Sequence, residues 1–218
     1  MNEYSLHSEV KTVYSLPGDQ FEAKLGNYIV DILRGDLVIE VQTKNFSVIR
    51  EKLQMLTAQY RVRLVYPLAE SKWITHVSKD NSVLKKRRSP RRGRLTDVFR
   101  ELVRIPKMIG EENFPFEVLF IDEEEVRSAD GRGSWRRRGV SVKDRRLLRV
   151  NGRVLFQNKA DYLRLLPDSL SAVFTNRELE KSANIPIRTA QQITYCLRKS
   201  GIIRIIQKKG RKLVFQKT

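Results

Sequence analysis

The chain reads as an α/β protein: a mixed sheet flanked by helices, with a small helix-rich unit at its C-terminus. Three observations carry that expectation. Apolar spacing along residues 1–75 gives the order helix, three strands, helix, strand. Two of those strands, within Tyr28–Phe46 (YIVDILRGDLVIEVQTKNF), close around a tight turn, and each carries one acid. The last sixty residues carry signals for helix, helix, turn, helix and hairpin.

The elements follow in order. Ser5–Ser15 places Leu6, Val10, Val13 and Tyr14 at helical spacing. Phe21–Leu25 is a short strand. After the acidic hairpin, Phe46–Tyr60 sets Phe46, Ile49, Leu53 and Leu56 on one helical stripe. Tyr60–Leu68 alternates and then turns apolar, as a buried strand does. Leu95–Ile109 predicts a helix ending near Pro106, and Phe116–Ile121 a buried strand able to extend the sheet. The acidic run Asp122–Glu125 then lies at a strand end, as a second metal site or, more in keeping with its surroundings, a solvated edge or a counter-charge for nearby arginines. Leu147–Phe156 holds Asn-Gly between alternating apolar residues, which predicts a hairpin.

The acidic hairpin is the candidate site. A turn at Arg34-Gly35 makes Asp31 and Glu40 diagonal neighbours; a turn at Gly35-Asp36 pairs them directly. Either puts both carboxylates on one face, whereas a three-residue loop splits them. Gln42 and Lys44 follow at steps of two and share that face. Two adjacent carboxylates on apolar strands are costly unless a cation holds them. A hard divalent ion with oxygen ligands, Mg²⁺ or Mn²⁺, is the natural partner. The plain alternative is an edge-strand Asp31 paired with an arginine and a solvated Glu40, but the strands are too apolar to offer a solvated face.

The element order and the spacing Asp31-x₈-Glu40-x-Gln42 resemble the restriction-endonuclease-like, or PD-(D/E)xK, nuclease superfamily. The likeness covers residues 1–75 and extends as far as 128. It implies a restriction-endonuclease-like fold in which Asp31 and Glu40 bind Mg²⁺ and a lysine two residues after the Glu helps to activate water. Gln42 stands in that lysine's place, Lys44 is the substitute on the same face, and Glu9 of the first helix is the candidate to complete the site. The whole chain also resembles uncharacterised bacterial proteins that join such an N-terminus to a basic C-terminal half.

Composition points to a polyanion. Lys and Arg number 43 against 25 Asp and Glu, a net charge of +18, which favours phosphate neutralisation and counterion release. One cysteine, Cys196, excludes an internal disulfide and a cysteine-rich zinc site. His7 and His76 read as surface or packing residues. No apolar run is long enough to span a membrane and the N-terminus has no signal-peptide core, so a cytoplasmic protein without membrane contact is expected. Lys85–Arg94 (KKRRSPRRGR) reads as a basic loop or arm, with Arg87, Arg88, Arg91 and Arg92 as phosphate contacts. In the second basic region, Arg132–Arg153, Trp135 beside Arg136, Arg137 and Arg138 packs under the loop or stacks on a base.

Asn158 caps a helix over Lys159–Leu166, and Thr175 with Glu178 forms a capping box for the next. Ile187–Ser200 is the third helix, with Ala190, Ile193, Leu197 and either Tyr195 or Cys196 inward. Ile202–Gln207 and Leu213–Gln216 flank the basic tip KKGRK. This order resembles a winged helix-turn-helix domain. The resemblance implies base and phosphate contacts from Arg188, Thr189, Gln191, Gln192, Thr194 and Arg198, and wing contacts from Lys208, Lys209 and Arg211. The expected organisation is therefore an endonuclease-like domain over 1–128, a basic connector with a hairpin over 129–157, and a winged helix over 158–218. The expected function is Mg²⁺-dependent DNA cleavage, with duplex DNA the partner; a homodimer is compatible with the sequence. A DNA-binding regulator or defence component with a degenerate nuclease fold is the competing class. An RNA-binding protein leaves the carboxylate hairpin unexplained.

Overall fold

A computed structural model describes residues 4–133, 135, 139–210 and 212–218, and all but the side chain of Lys209 among them. Helix α1 (Ser5–Tyr14) buries Leu6, Val10 and Tyr14. Strands β1 (Gln20–Leu25), β2 (Tyr28–Arg34) and β3 (Leu37–Val41) form an antiparallel meander. The acidic hairpin turns at Gly35-Asp36, with Arg34 opposite Leu37 and Ile32 opposite Ile39. Gly35 takes φ 57°, a left-handed turn conformation that glycine adopts without a Cβ penalty. Helix α2 (Arg50–Thr57) buries Leu53 and Leu56 and returns the chain to β4 (Arg61–Val77), which runs parallel to β3.

β4 is far longer than the strand expected over Tyr60–Leu68. Its second half is fixed by two partners at once: β5 (Val83–Arg88), antiparallel, and β6 (Phe116–Ser128), parallel. β7 (Ser141–Phe156) pairs antiparallel with β6 along its whole length. The sheet therefore has seven strands in the order β1-β2-β3-β4-β6-β7, with β5 also on β4.

Several expectations are corrected here. The first half of the basic run is a strand, not a loop or mobile arm, because the edge of β4 is open to receive it. Asn151-Gly152 makes no hairpin. Phe120 faces Gly152 and Ile121 faces Val150, so Asn151 is an extra residue bulged out of a continuous strand. The long partner strand overrides the local turn signal. Residues 129–157 thus supply the last strand of the sheet, not a connector.

Side chains alternate across the sheet. On one face Ile32, Ile39, Val41, Val65, Leu119 and Ile121 pack against α1. On the other, Val30, Val38, Val62, Leu64 and Val118 pack with α2, Phe99, Leu102 and the C-terminal unit. The helix expected over Leu95–Ile109 is broken into a 3₁₀ turn (Leu95–Val98), a four-residue helix α3 (Phe99–Leu102) and a second 3₁₀ turn (Pro106–Met108). Pro106 displaces Ile105 from helical geometry, to φ −129° and ψ 42°. The apolar residues of that stretch still reach the core.

The C-terminal unit comprises α4 (Lys159–Leu163), β8 (Val173–Thr175), α5 (Asn176–Ser182), α6 (Ile187–Lys199), β9 (Ile203–Lys209) and β10 (Lys212–Lys217). The Asn158 cap and the Thr175–Glu178 capping box form as expected. Strands β8, β10 and β9 make a three-stranded antiparallel sheet. This unit does not stand apart. Phe116, Phe156 and Tyr162 stack in series, with centroids 6.1 and 4.7 Å apart, and Ala190, Ile193, Cys196 and Leu197 share one core with the large sheet.

Candidate functional site

Asp31 and Glu40 meet where the β2–β3 ladder is interrupted. The Val41 amide donates to Asp31 Oδ2 at 2.8 Å, and the Asp31 amide donates to Glu40 Oε1 at 3.2 Å. Each carboxylate therefore replaces a backbone acceptor on the opposite strand. Their partners come from opposite faces of the sheet. His7 Nε2 lies 3.2 Å and Lys11 Nζ 3.7 Å from Asp31, both from α1. Lys52 Nζ lies 2.7 Å from Glu40 Oε2, from α2. The acids do come together, but they sit across the ladder instead of sharing one flank.

The two environments push the acids apart. Burial would raise Asp31, yet His7, the Val41 amide and Lys11 outweigh it and hold Asp31 below its ordinary value. Burial and the Asp31 charge push Glu40 up to about 7, against the pull of Lys52. Glu40 has 5% and Asp31 12% of its side chain exposed, so their charges are settled by protein groups, not by bulk water.

The other expected members do not join them. The Gln42 amide donates to the Lys44 carbonyl at 2.5 Å, and the Lys44 ammonium lies over the Tyr4 ring, 5.2 Å from its centroid. Glu9 accepts from the Leu147 amide of β7 at 2.5 Å. The cation at Glu40 is Lys52, a residue that sequence reasoning missed. A weak signal existed, since Lys52 precedes the buried Leu53 on the helix that crosses back over the hairpin. His7, expected as a surface or packing residue, and Lys11 lie four apart beside the buried stripe of α1 and meet at Asp31 through helix packing.

Carboxylate oxygens are the donors that Mg²⁺ takes. Here, however, Asp31 Oδ2 and both Glu40 oxygens already accept hydrogen bonds from the chain. Among the described residues no group of three or more His, Cys, Asp or Glu is placed to hold a metal. These hydrogen bonds tie both acids to the chain's own donors.

Other charges follow different rules. Glu123 and Glu125, expected at a solvated strand end, are buried in β6. They serve the other expected role, as counter-charges for Lys72, Arg127 and Arg145. Trp135, expected to pack under its loop, is 84% exposed, and Arg136, Arg137 and Arg138 lie outside the described residues.

The basic elements converge although they are distant in sequence. All six residues of β5 are exposed, Arg87 and Arg88 included. The chain then runs through exposed Arg91 and Arg92 to Arg94, whose guanidinium donates to the Asn184 carbonyl at 3.1 Å. Asn184 is in the turn before α6. On α6, Arg188 and Gln191 are exposed and Gln192 and Arg198 half-buried. Thr189 and Thr194, expected at the surface, are buried. Thr194 Oγ1 donates to Asn176 Oδ1 at 2.7 Å, so it tethers α6 to α5. Cys196, not Tyr195, faces the core. At the β9–β10 tip Lys208 is exposed; Arg211 and the Lys209 side chain lie outside the described residues.

Residues 4–157, the span of the large sheet and the helices on its two faces, match the model of the domain of unknown function DUF8091. The chain belongs to this family. The matched region ends one residue after β7, so the family unit includes all seven strands and excludes the C-terminal unit. A protein of Treponema pallidum (strain Nichols), named only as uncharacterized, is 27% identical over 217 residues, covering 99% of this chain and 85% of its own length. That match runs through both units. No solved structure matches the chain.

Within the family unit, Gly93 fixes the basic segment to the sheet. Its amide donates to the Ala69 carbonyl at 3.0 Å, and an added Cβ would lie 2.5 Å from that same oxygen. Backbone must move to admit it. Gly93→Ala is therefore expected to cost about 1–3 kcal/mol, measured by thermal unfolding; an unchanged melting temperature refutes the fixed contact.

Proposed function

We propose that this chain is a duplex-DNA-binding protein that combines an endonuclease-like sheet with a C-terminal winged helix, and that its hairpin acids are structural. The Arg94–Asn184 contact carries the proposal. It ties the end of the run Lys85–Arg94 to the turn before α6 across 90 positions of sequence, which supports reading the two basic elements as one binding surface. A net charge of +18 gives that surface a polyanion as its natural partner. The order α4, β8, α5, α6, β9, β10, with its three-stranded sheet, supports the winged-helix reading. In it α6 presents Arg188, Gln191 and Gln192 to the major groove and Lys208 contacts phosphate. The test is salt-dependent binding to duplex DNA, measured by fluorescence anisotropy; affinity indifferent to salt would overturn the reading.

A second reading, DNA hydrolysis with Mg²⁺ or Mn²⁺, is favoured by one observation: Lys52 brings an ammonium to the paired acids where Gln42 does not. Supercoiled plasmid incubated with either metal separates the readings. Intact plasmid is expected under both metals. Nicking that is lost in Asp31→Asn and in Glu40→Gln variants whose melting temperatures are unchanged would establish the hydrolase instead.

A further inference from the structure

The C-terminal half of α6 opens onto a groove that the duplex reading does not use. α2, the segment Val103–Met108 and α6 border an open groove of about 370 Å³. Arg50, Arg104, Lys107 and Lys199 line it, and no acid does. All four are exposed, and among the described residues none has a carboxylate within ion-pairing distance. This contrasts with Lys72, Arg127 and Arg145, each held by Glu123 or Glu125. Lys199 has a local role as well, since a cation in the last turn of a helix complements its dipole. Lys107 sits only in a three-residue 3₁₀ turn, and Arg104 lies outside any helix. Four like charges without a counter-charge make a site that an anion stabilises.

Tyr195 stands on the wall of this groove, 39% exposed. Arg188, Gln191, Tyr195 and Lys199 follow at steps of three and four, so they form one stripe along α6. A nucleic acid held at the start of α6 is thereby led toward the groove. The groove's volume suits a nucleotide, not a duplex. An aromatic ring beside cations binds an unstacked base and its phosphate, and a paired base offers no free π-face.

We infer that this groove is a second nucleic-acid site, taking a single-stranded segment that continues from the bound duplex. Arg104 and Lys107 contact its phosphates, and Tyr195 stacks on a base. The inference rests on the duplex-binding reading above. Fluorescence anisotropy of the full chain tests it with two labelled probes, a blunt duplex and the same duplex with a single-stranded overhang. The overhang is expected to tighten binding about tenfold or more. Arg104→Glu with Lys107→Glu should abolish that gain and reduce the salt slope on the overhang probe by about 1.4, two contacts at about 0.7 each for single strands. Tyr195→Ala should lose about tenfold on the overhang probe alone. All three positions are exposed, and unchanged melting temperatures establish that the variants fold. Blunt duplex bound as tightly as the overhang probe overturns the groove and leaves the duplex reading standing. No binding of either probe ends both. If polyglutamate binds with dependence on Arg104 and Lys107 while overhang binding ignores them, the groove is an acidic-peptide site and the inference fails.

Discussion

Replacing Lys52 with Met is expected to destabilise the fold by about 3–5 kcal/mol at pH 8, the cost of leaving one member of a buried ion pair uncompensated. Glu40 is nearly enclosed, and Lys52 is the cation within ion-pairing distance of it among the described residues. The Asp31 amide contributes a hydrogen bond but no net charge. The cost should depend on pH. Burial and Asp31 raise Glu40 in the folded state from an ordinary 4.5 to about 7. Between those values the folded chain holds a proton that the unfolded chain releases. Stability contributed by this group therefore falls as pH rises through that window and is level above it. Removing Lys52 lifts Glu40 further, so the window extends upward and the variant suffers most in base. Near pH 5, where Glu40 is protonated, Lys52→Met should cost much less. Adding Glu40→Gln to Lys52→Met should recover most of the loss at pH 8, apart from the bond from Lys52 to the Ile29 carbonyl. Urea unfolding at pH 5 and pH 8 measures all of this. A loss of under about 1 kcal/mol at pH 8, or one equal at both pH values, would refute Lys52 as the charge partner.

The sequence made the hairpin legible because its information is local. Apolar alternation, Gly35 and two acids suffice to bring Asp31 to Glu40. It could not reveal which groups hold them, because His7, Lys11 and Lys52 arrive through helix packing on two faces of the sheet. The same limit explains the misread strands. Asn151-Gly152 is a strong turn signal that yields to thirteen residues of β6 offering an unbroken partner. Lys85–Arg88 has the composition of a loop, yet the open edge of β4 makes it a strand. The Asn158 cap and the Thr175–Glu178 capping box are legible because every group in them lies within three residues. Thr189 and Thr194 were misplaced because short polar side chains fit a buried helix face whenever a neighbour satisfies the hydroxyl, as Asn176 does for Thr194.

Affinity for blunt duplex DNA is expected to fall roughly a thousandfold between 50 and 200 mM salt. Arg87, Arg88, Arg91, Arg92, Arg188 and Lys208 supply about six phosphate contacts, each contributing about −0.9 to the slope of log affinity against log salt, hence a slope near −5. Four of these, Arg87, Arg91, Arg92 and Arg188, are exposed and take part in no ion pair among the described residues, so changing them to alanine leaves the fold's own charge network intact. Arg94 is excluded because its contact with Asn184 positions the segment. The fourfold variant should show a slope smaller in magnitude by about 3.6 and weaker binding on every duplex alike. Gln191→Ala should instead alter the ranking of duplex sequences with little change in slope, as expected of a side chain that reads base edges. Anisotropy titrations at four salt concentrations on both variants distinguish these effects. An affinity indifferent to salt, or a fourfold variant that binds as tightly as the natural chain, would mean that the surface joined by Arg94 and Asn184 is not where DNA lies.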